Sequence, residues 1–104
     1  MGRTAKAKIS RKEKNDRLYR AILMLKTEEE CYNFFQDLCT ISELRSMEQR
    51  LEVARLLDSG MIYSDILAQT GASSATISRV NRALISGAGG YETVLERMKE
   101  QEEA

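Results

Sequence analysis

The stretch YSDILAQTGASSATISRVNR, residues 63–82, decides the fold of this chain. Two short segments with apolar residues at helical spacing flank Gly71, as the two helices of a helix-turn-helix flank its tight turn. A left-handed backbone at Gly71 would cost little, because glycine has no Cβ. The small internal core of the motif would be formed by Ile66, Ala72, Ile77 and Val80. We therefore predict a helix-turn-helix over residues 63–84.

The rest of the chain favours an all-α fold of about six helices. Proline is absent from the 104 residues, and strong helix formers are frequent. Thr27 followed by Glu30, and Thr40 followed by Glu43, predict the capping boxes of a second and a third helix. Four of the predicted helices span about residues 14–26, 63–69, 74–84 and 91–101. The second helix follows the cap at Thr27 and carries an apolar face up to residue 38, and the third opens at residues 40–43 and runs to about residue 58.

Three apolar patterns need surfaces that cover them, and a second subunit could supply the surface for the last one. Residues 22–25 are apolar around the whole helix and should be buried on all sides. The third helix has apolar residues on two faces, as a central helix does. The last helix follows a glycine-rich hinge at 86–90 and carries an apolar stripe that needs a surface to cover. We predict that residues 91–101 form a dimerisation helix.

Charge is segregated along the chain, although the formal net charge is zero. Residues 1–14 hold six basic residues and one acidic residue, and residues 91–104 hold five acidic and two basic residues. A neutral chain is atypical of nucleic-acid-binding proteins, but segregation permits a local basic face. We expect a basic flexible arm over residues 1–12 and a single helical domain over residues 13–104.

Composition makes several other classes of protein improbable. The sequence has no histidine, and its two cysteines, Cys31 and Cys39, would be too far apart on one helix for a disulfide. We expect both to be reduced core residues, with no metal site. No apolar stretch approaches the length of a membrane helix, and the basic N-terminus lacks the apolar segment of a secretory signal. A cytoplasmic protein without enzymatic activity is expected.

The polar residues of the second motif helix are the candidates for contact with DNA. Ser73 and Ser74 stand at its start, where a hydroxyl either caps the helix or reaches a phosphate or base edge. Recognition helices contact base edges mainly from that end. The predicted DNA-binding residues are Gln69, Ser73, Ser74, Thr76, Ser78, Arg79 and Arg82. Thr76 could instead share the capping role.

Two segments resemble the tryptophan-repressor superfamily, in particular its small YerC/YecD-like branch. They are TGASSATISR, residues 70–79, and LCTISELRSMEQRL, residues 38–51. The resemblance extends from about residue 18 to residue 98. It implies an intertwined, all-helical homodimer whose two recognition helices enter successive major grooves of a palindromic operator. Trp repressor is itself one of the proteins from which this docking geometry is known.

The resemblance also implies a possible effector site. Thr40, Arg50 and Arg79 match positions that hold the amino-acid ligand in tryptophan repressor. Val80, however, stands where that repressor has a glycine that leaves space for the indole ring, and Ala83 replaces a serine near the ligand amine. Because a larger side chain fills the space, we expect no tryptophan corepressor and no other cofactor; a different small effector stays open.

Two functions follow from the sequence. The first is a homodimeric, sequence-specific DNA-binding transcriptional regulator, most simply a repressor, with double-stranded DNA as its partner. The alternative is a protein-interaction module that retains the helix-turn-helix as a scaffold; the neutral net charge favours it. The operator, the regulated genes and the choice between activator and repressor are not encoded in any recognisable pattern.

Overall fold

The computed structural model describes residues 11–103 of the chain, with side chains described from Asp16 to Glu102. Within that range the structure has six α-helices and no strand, which confirms the all-α prediction. The helices are α1 (Arg11–Leu23), α2 (Glu28–Leu38), α3 (Ile41–Asp58), α4 (Tyr63–Thr70), α5 (Ser74–Ser86) and α6 (Gly90–Glu103).

The chain divides into two compact units between Thr40 and Ile41. The first unit contains α1 and α2, and the second contains α3 to α6. The single domain over residues 13–104 stays a prediction, and the division into two units follows the distribution of buried residues. Every buried apolar residue of the described chain belongs to the second unit, and α2 has no buried residue.

Helix α1 is displaced from its predicted position. It begins at Arg11 and ends at Leu23, whereas apolar spacing predicted about residues 14–26. Arg11 and Lys12 therefore belong to the helix rather than to the predicted arm; residues 1–10 of that arm lie outside the described range. Met24 and Leu25 follow the helix in a tight turn, in which their N–H groups donate to the carbonyls three residues earlier at 3.1 Å.

The apolar residues at the end of α1 are not buried on all sides. Leu23 is 78% exposed and Met24 is 71% exposed, whereas Ile22 and Leu25 are half-buried. The prediction of all-round burial is wrong for the single chain, because the helix ends inside the apolar run. These exposed apolar side chains are hydrated, which is less favourable than burial in an apolar environment.

Helix α2 begins with half of the predicted capping box. The Thr27 hydroxyl accepts from the backbone N–H of Glu30 at 3.0 Å, as predicted. The Glu30 carboxylate accepts from the N–H of Lys26 at 2.8 Å rather than from that of Thr27. Glu28, Glu29 and Glu30 lie in the first turn, where negative charge stabilises the helix dipole.

The two cysteines are free thiols, and both are half-buried rather than core residues. Cys39 is the C-cap of α2 in an extended conformation, and its N–H donates to Phe35 O at 3.0 Å. The expectation that both cysteines share one helix is therefore wrong, since α2 ends at Leu38. Phe34 and Phe35 of the same helix are half-buried and meet edge to face, with ring centroids 5.6 Å apart.

The second unit is organised around α3. Its core consists of Val53, Ala54, Leu56, Ile66, Ala72, Ile77, Val80 and Leu95, each 3% exposed or less. These residues come from α3, α4, α5, α6 and the turn between α4 and α5, so one core holds the helix-turn-helix against α3 and α6.

Helix α3 ends at Asp58, as predicted, and a left-handed glycine follows two residues later. Gly60 has φ 94°. Its N–H donates to Leu57 O at 3.0 Å, and the N–H of Met61 donates to Leu56 O at 3.1 Å. These paired bonds form a Schellman motif, which reverses the chain towards α4.

The apolar stripe of α6 is covered within the chain. Leu95 is in the core, Tyr91 and Met98 pack against it, and Val94 stays 47% exposed. Lys99 also pairs with Asp58 at the end of α3, at 2.7 Å. The stripe therefore does not require a second subunit, because α3 and α5 supply its surface; dimerisation through residues 91–101 stays a prediction.

Candidate nucleic-acid interface

The turn between α4 and α5 has the predicted geometry. Helix α4 ends at Thr70, and Gly71 adopts φ 73° and ψ 7°, in the left-handed region. Its N–H donates to Leu67 O at 3.0 Å, which satisfies a carbonyl of the last helical turn. The prediction that Gly71 takes a left-handed conformation is confirmed.

The four residues predicted to form the core of the motif are all buried. Ile66 and Ile77 have no exposed surface, and Ala72 and Val80 are each 1% exposed. Burial of these side chains fixes one face of α5 against α3 and α4. The opposite face of α5 consequently points to solvent.

Ser73 is the N-cap of α5, and Thr76 assists it. The Ser73 hydroxyl oxygen accepts from the backbone N–H of Thr76 at 3.1 Å, and the same hydroxyl donates to Thr76 Oγ1 at 3.1 Å. Thr76 is half-buried. Of the two roles that the sequence left open for these residues, the structure shows the capping role.

Along residues 74–82, the solvent face of α5 is formed by side chains that are short or cationic; further along the same side, Ile85 is 75% exposed. Five residues form this face, which we call the α5 face: Ser74, Ala75, Ser78, Arg79 and Arg82. At about 100° per residue, their side chains fall within about 140° of the helix circumference. Ser78 is half-buried and the other four are exposed. Ala75 was missing from the predicted set, although helical spacing alone places it between Ser74 and Arg79.

The charges around the α5 face are positive and uncompensated. Helix α5 contains no acidic residue, and Asp65 is the one acidic residue of α4. Within the described side chains, neither Arg79 nor Arg82 has an ion-pair partner. By contrast, α6 carries five glutamates against one arginine and one lysine. The second unit therefore has a cationic helix and an acidic helix.

Gln69 lies outside the α5 face, on α4. It is exposed and lines a groove of about 380 Å³ together with Arg45, Glu48, Gln49, Glu52 and Thr70. Arg55 hydrogen-bonds Glu52 at 2.6 and 3.1 Å, and these bonds hold the pKa of the Glu52 carboxyl below its ordinary value. Of the charged residues that line this groove, Glu52 is thus paired with Arg55.

Two polar residues that sequence reasoning missed organise the turn. The Thr70 hydroxyl donates to Ile66 O at 2.7 Å and accepts from the N–H of Ala72 at 3.1 Å. Gln49 Nε2 donates to the Thr70 carbonyl at 3.3 Å. A threonine at the end of a helix only weakly indicates a hydrogen bond of this kind. No periodic pattern in the sequence indicates that residues 49 and 70 are hydrogen-bonded.

The residues predicted to hold an effector are distributed over both units. Thr40 is the last residue of the first unit; Arg50 is half-buried on α3 and Arg79 is exposed on α5 of the second. Val80, which follows Arg79 in the sequence, packs in the core with 1% of its surface exposed. Its side chain therefore fills space rather than lining an open site.

Neither a metal cluster nor a membrane-spanning helix is present in the part of the chain that the structure describes. No group of three or more metal-ligating side chains occurs among the described residues. No helix in residues 11–103 combines the length and the apolar character needed to cross a bilayer.

Comparison with known proteins identifies the family. The family model described as Trp repressor protein matches residues 13–99. The uncharacterized protein YerC of Bacillus subtilis (strain 168) is 58% identical over 87 residues, which are 84% of this chain and 84% of YerC.

Two crystal structures share the fold. One is a protein from Staphylococcus aureus that is provisionally identified as a Trp repressor; it has a TM-score of 0.78 and 50% identity, over 81% of this chain and 84% of its own. The other is a TrpR-like protein from Eubacterium eligens ATCC 27750, with a TM-score of 0.78 and 52% identity, over 81% of this chain and 87% of its own. The helix-turn-helix chain described above thus belongs to the Trp repressor family, in its YerC-like branch.

Proposed function

We propose that this protein is a sequence-specific, DNA-binding transcriptional regulator that acts as a repressor. The observation that carries the proposal is the α5 face. Its two arginines are exposed and unpaired within the described side chains, and its N-terminal residues are small. A helix of this kind can approach the floor of a major groove closely, while its guanidinium groups bond phosphates or guanine edges.

The members of the α5 face have separate roles in this proposal. Ser74 and Ser78 reach base edges or phosphates through their hydroxyls, and the Ala75 methyl group suits contact with a thymine methyl. Arg79 and Arg82 supply charge-assisted bonds to the DNA backbone. Gln69 contacts the backbone from the preceding helix.

Ser73 and Thr76 contribute indirectly. Their hydroxyls hold the first turn of α5 in the structure, so the cap keeps the backbone N–H groups of that turn in place. We assign them to DNA binding through this support rather than through direct bonds to bases.

Charge distribution favours one orientation on DNA. The cationic α5 face would be attracted by the phosphates, while the acidic α6 would be repelled and would face solvent. The chain is therefore able to bind DNA locally in spite of its zero net charge. The basic residues 1–12 would add sequence-independent attraction to the backbone.

We propose that the regulator is a homodimer on a palindromic operator. Exposed apolar side chains support this assembly, because a soluble monomer rarely leaves so many large ones in water. In the first unit they are Leu18, Tyr19, Leu23, Met24, Tyr32 and Leu38, from 40% to 78% exposed. As a regulator of transcription the dimer would act in the cytoplasm, where bacterial DNA is found.

Tryptophan is not part of the proposed control. Val80 is 1% exposed in the core of the helix-turn-helix, and we infer that its side chain takes the space that an indole ring would need there. Isothermal titration with tryptophan is expected to show no saturable heat. Saturable binding at one site per chain would contradict this part of the proposal.

A second candidate function is a protein-interaction module. It is favoured by three exposed apolar residues near the start of α4: Ile62 is 63% exposed, Tyr63 42% and Leu67 43%. A protein partner that contacts these residues would bind equally well to the wild type and to a chain without Arg79 and Arg82. Loss of the partner after Leu67→Ser alone would support this function.

Fluorescence anisotropy with labelled DNA over a range of salt concentrations tests the main proposal. We expect affinity to fall as salt rises, and each of Arg79→Ala and Arg82→Ala to reduce the slope of log Kd against log salt by about 1. Arg97→Ala on α6 is the matched control, since it removes the same charge from an exposed position on the acidic helix, outside the α5 face. Binding that is insensitive to salt, or equally affected by all three substitutions, would contradict the role of the α5 face.

A further inference from the structure

Thr70 connects the last turn of α4 to the turn that follows it. Its hydroxyl donates to Ile66 O and accepts from the N–H of Ala72, at 2.7 and 3.1 Å. Ala72 itself is 1% exposed. Within the described chain, the Thr70 hydroxyl is the hydrogen-bond acceptor of this N–H group. A buried N–H group without an acceptor is costly, so the Thr70 hydroxyl fixes the direction in which the chain leaves α4.

Gln49 ties the same residue to α3. The carbonyl of Thr70 is at the C-terminus of α4, where helical carbonyls lack partners within their own helix. Gln49 Nε2 donates to it at 3.3 Å, and both residues are half-buried. This is a bond between residues 21 positions apart, so it relates the turn to the central helix of the second unit.

The apolar core restricts the direction of the chain after α4 less than these hydrogen bonds do. Ile66, Ile77 and Val80 hold α4 and α5 together by apolar contact, which is non-directional. Hydrogen bonds restrict direction as well as distance. Only three residues lie between Thr70 and the first residue of α5, and they include the N-cap Ser73. The direction of the chain at Ala72 therefore determines where α5 starts.

We propose that Gln49 and Thr70 are positioning residues, which together form a Gln49–Thr70 lock that sets the orientation of the α5 face relative to α3. The inference rests on the proposed DNA binding. The lock touches no DNA; it determines how well Ser74, Ser78 and Arg79 match the groove. Specific binding depends on that match, whereas non-specific attraction to phosphates depends mainly on charge.

Isosteric substitution of Thr70 tests the lock. Thr70→Val keeps the shape and removes the hydroxyl, and Thr70→Ser restores the hydroxyl as the conservative rescue. The readout is the ratio of affinities for a DNA sequence selected from a random pool and for random DNA, at a temperature where circular dichroism shows each variant fully folded. We expect Thr70→Val to lower that ratio about tenfold, the size of one lost specific contact, and Thr70→Ser to stay within about twofold of the wild type. The salt dependence of binding to random DNA should not change.

A second pair of variants covers the case in which Thr70→Val does not fold. Gln49→Met keeps the length of the side chain and removes its donor, while Gln36→Met on the exposed surface of α2 is the matched control. Gln49→Met should lower the ratio of the affinities for selected and for random DNA, and Gln36→Met should leave that ratio unchanged. If Gln49 and Thr70 only stabilised the fold, their substitution would lower the melting temperature, and the folded variants would keep the wild-type ratio of affinities for selected and random DNA.

Hydrogen exchange at the amide of Ala72 separates failure of the lock from failure of the proposed function. We expect protection of this amide to fall in Thr70→Val and to be retained in Thr70→Ser, with or without DNA. If the wild type shows no preference for any DNA sequence, the proposed function is refuted, and exchange alone decides whether the lock orders the turn. If the wild type is specific and Thr70→Val or Gln49→Met has the same specific ratio, the lock is refuted and DNA binding stands.

Discussion

Replacement of Gly71 by alanine should destabilise the protein, because alanine tolerates the left-handed backbone at this position poorly. The backbone at Gly71 has φ 73°, and an added Cβ would meet no atom within 4 Å. Steric crowding by neighbours therefore contributes nothing, and the cost comes from the left-handed backbone alone. Gly90 is the matched control, because a Cβ there also meets no atom within 4 Å and its φ is not in the left-handed region.

The expected magnitude follows from two opposing effects. A left-handed conformation costs an L-residue about 1–2 kcal/mol. Alanine also reduces the entropy of the unfolded chain, which offsets about 0.4–1 kcal/mol of that cost. We therefore expect Gly71→Ala to lower the free energy of unfolding by about 1 kcal/mol. Gly71→Asn should cost less than Gly71→Ala, because asparagine adopts this conformation more readily, and Gly90→Ala should be neutral or stabilising by up to about 1 kcal/mol.

Thermal unfolding followed by circular dichroism measures the series. A loss of 1 kcal/mol corresponds to a fall of about 4–8 °C in Tm for a domain of 60–100 residues. All variants must be compared at one protein concentration, because Tm depends on concentration for a protein that dimerises. The reasoning would be refuted if Gly71→Ala were as stable as Gly90→Ala, or if asparagine were worse than alanine at position 71.

Three further predictions concern the cap, the core and the assembly. Ser73→Ala removes the N-cap bond of α5 and should lower the free energy of unfolding by about 1 kcal/mol, while Ser74→Ala should change it by less than about 0.5 kcal/mol; equal losses would argue against the cap. Val80→Ala removes a side chain that is 1% exposed and should cost about 2–3 kcal/mol in chemical denaturation, well above the cost of Val94→Ala at 47% exposure. Light scattering at micromolar concentration should give twice the mass of the chain, and a stable monomer would exclude the proposed homodimer.

The helix-turn-helix was predictable because the interactions that define it are local. Ile66, Ala72, Ile77 and Val80 are within 15 residues of one another, and the conformation of Gly71 follows from the length of the turn. The cap at Ser73, one of the two roles that the sequence left open for this residue, also depends only on the next three residues. Propensity, spacing and turn chemistry all agree over this segment, and such agreement is what makes a local prediction reliable.

Predictions that depended on tertiary contacts were less successful. The stripe on α6 was interpreted as a surface for a second subunit, whereas Leu95 packs in the core of its own chain. The apolar run at 22–25 was expected to be helical and buried, but α1 ends at Leu23 and that residue is 78% exposed. Periodicity indicates which residues share a face and does not indicate what covers it.

The candidate site was predictable in outline but not in its supporting bonds. Helical spacing placed Ser78, Arg79 and Arg82 on the side opposite the core, as the structure has them. It could not decide between the two roles of Ser73, since that choice depends on the hydroxyl of Thr76. The bond from Gln49 to Thr70 joins two helices, and no pattern within either helix indicates it.

Selection of bound sequences from a random pool of double-stranded DNA tests most directly whether the α5 face reads DNA. The wild type should enrich one palindromic sequence, because each copy of a dimer would present its α5 face to an equivalent half-site. The same selection with the Arg79→Ala, Arg82→Ala double variant should enrich nothing, while Arg97→Ala should enrich the sequence found by the wild type. Failure of the wild type to enrich any sequence, or an identical enrichment by the double variant, would contradict the role proposed for the α5 face.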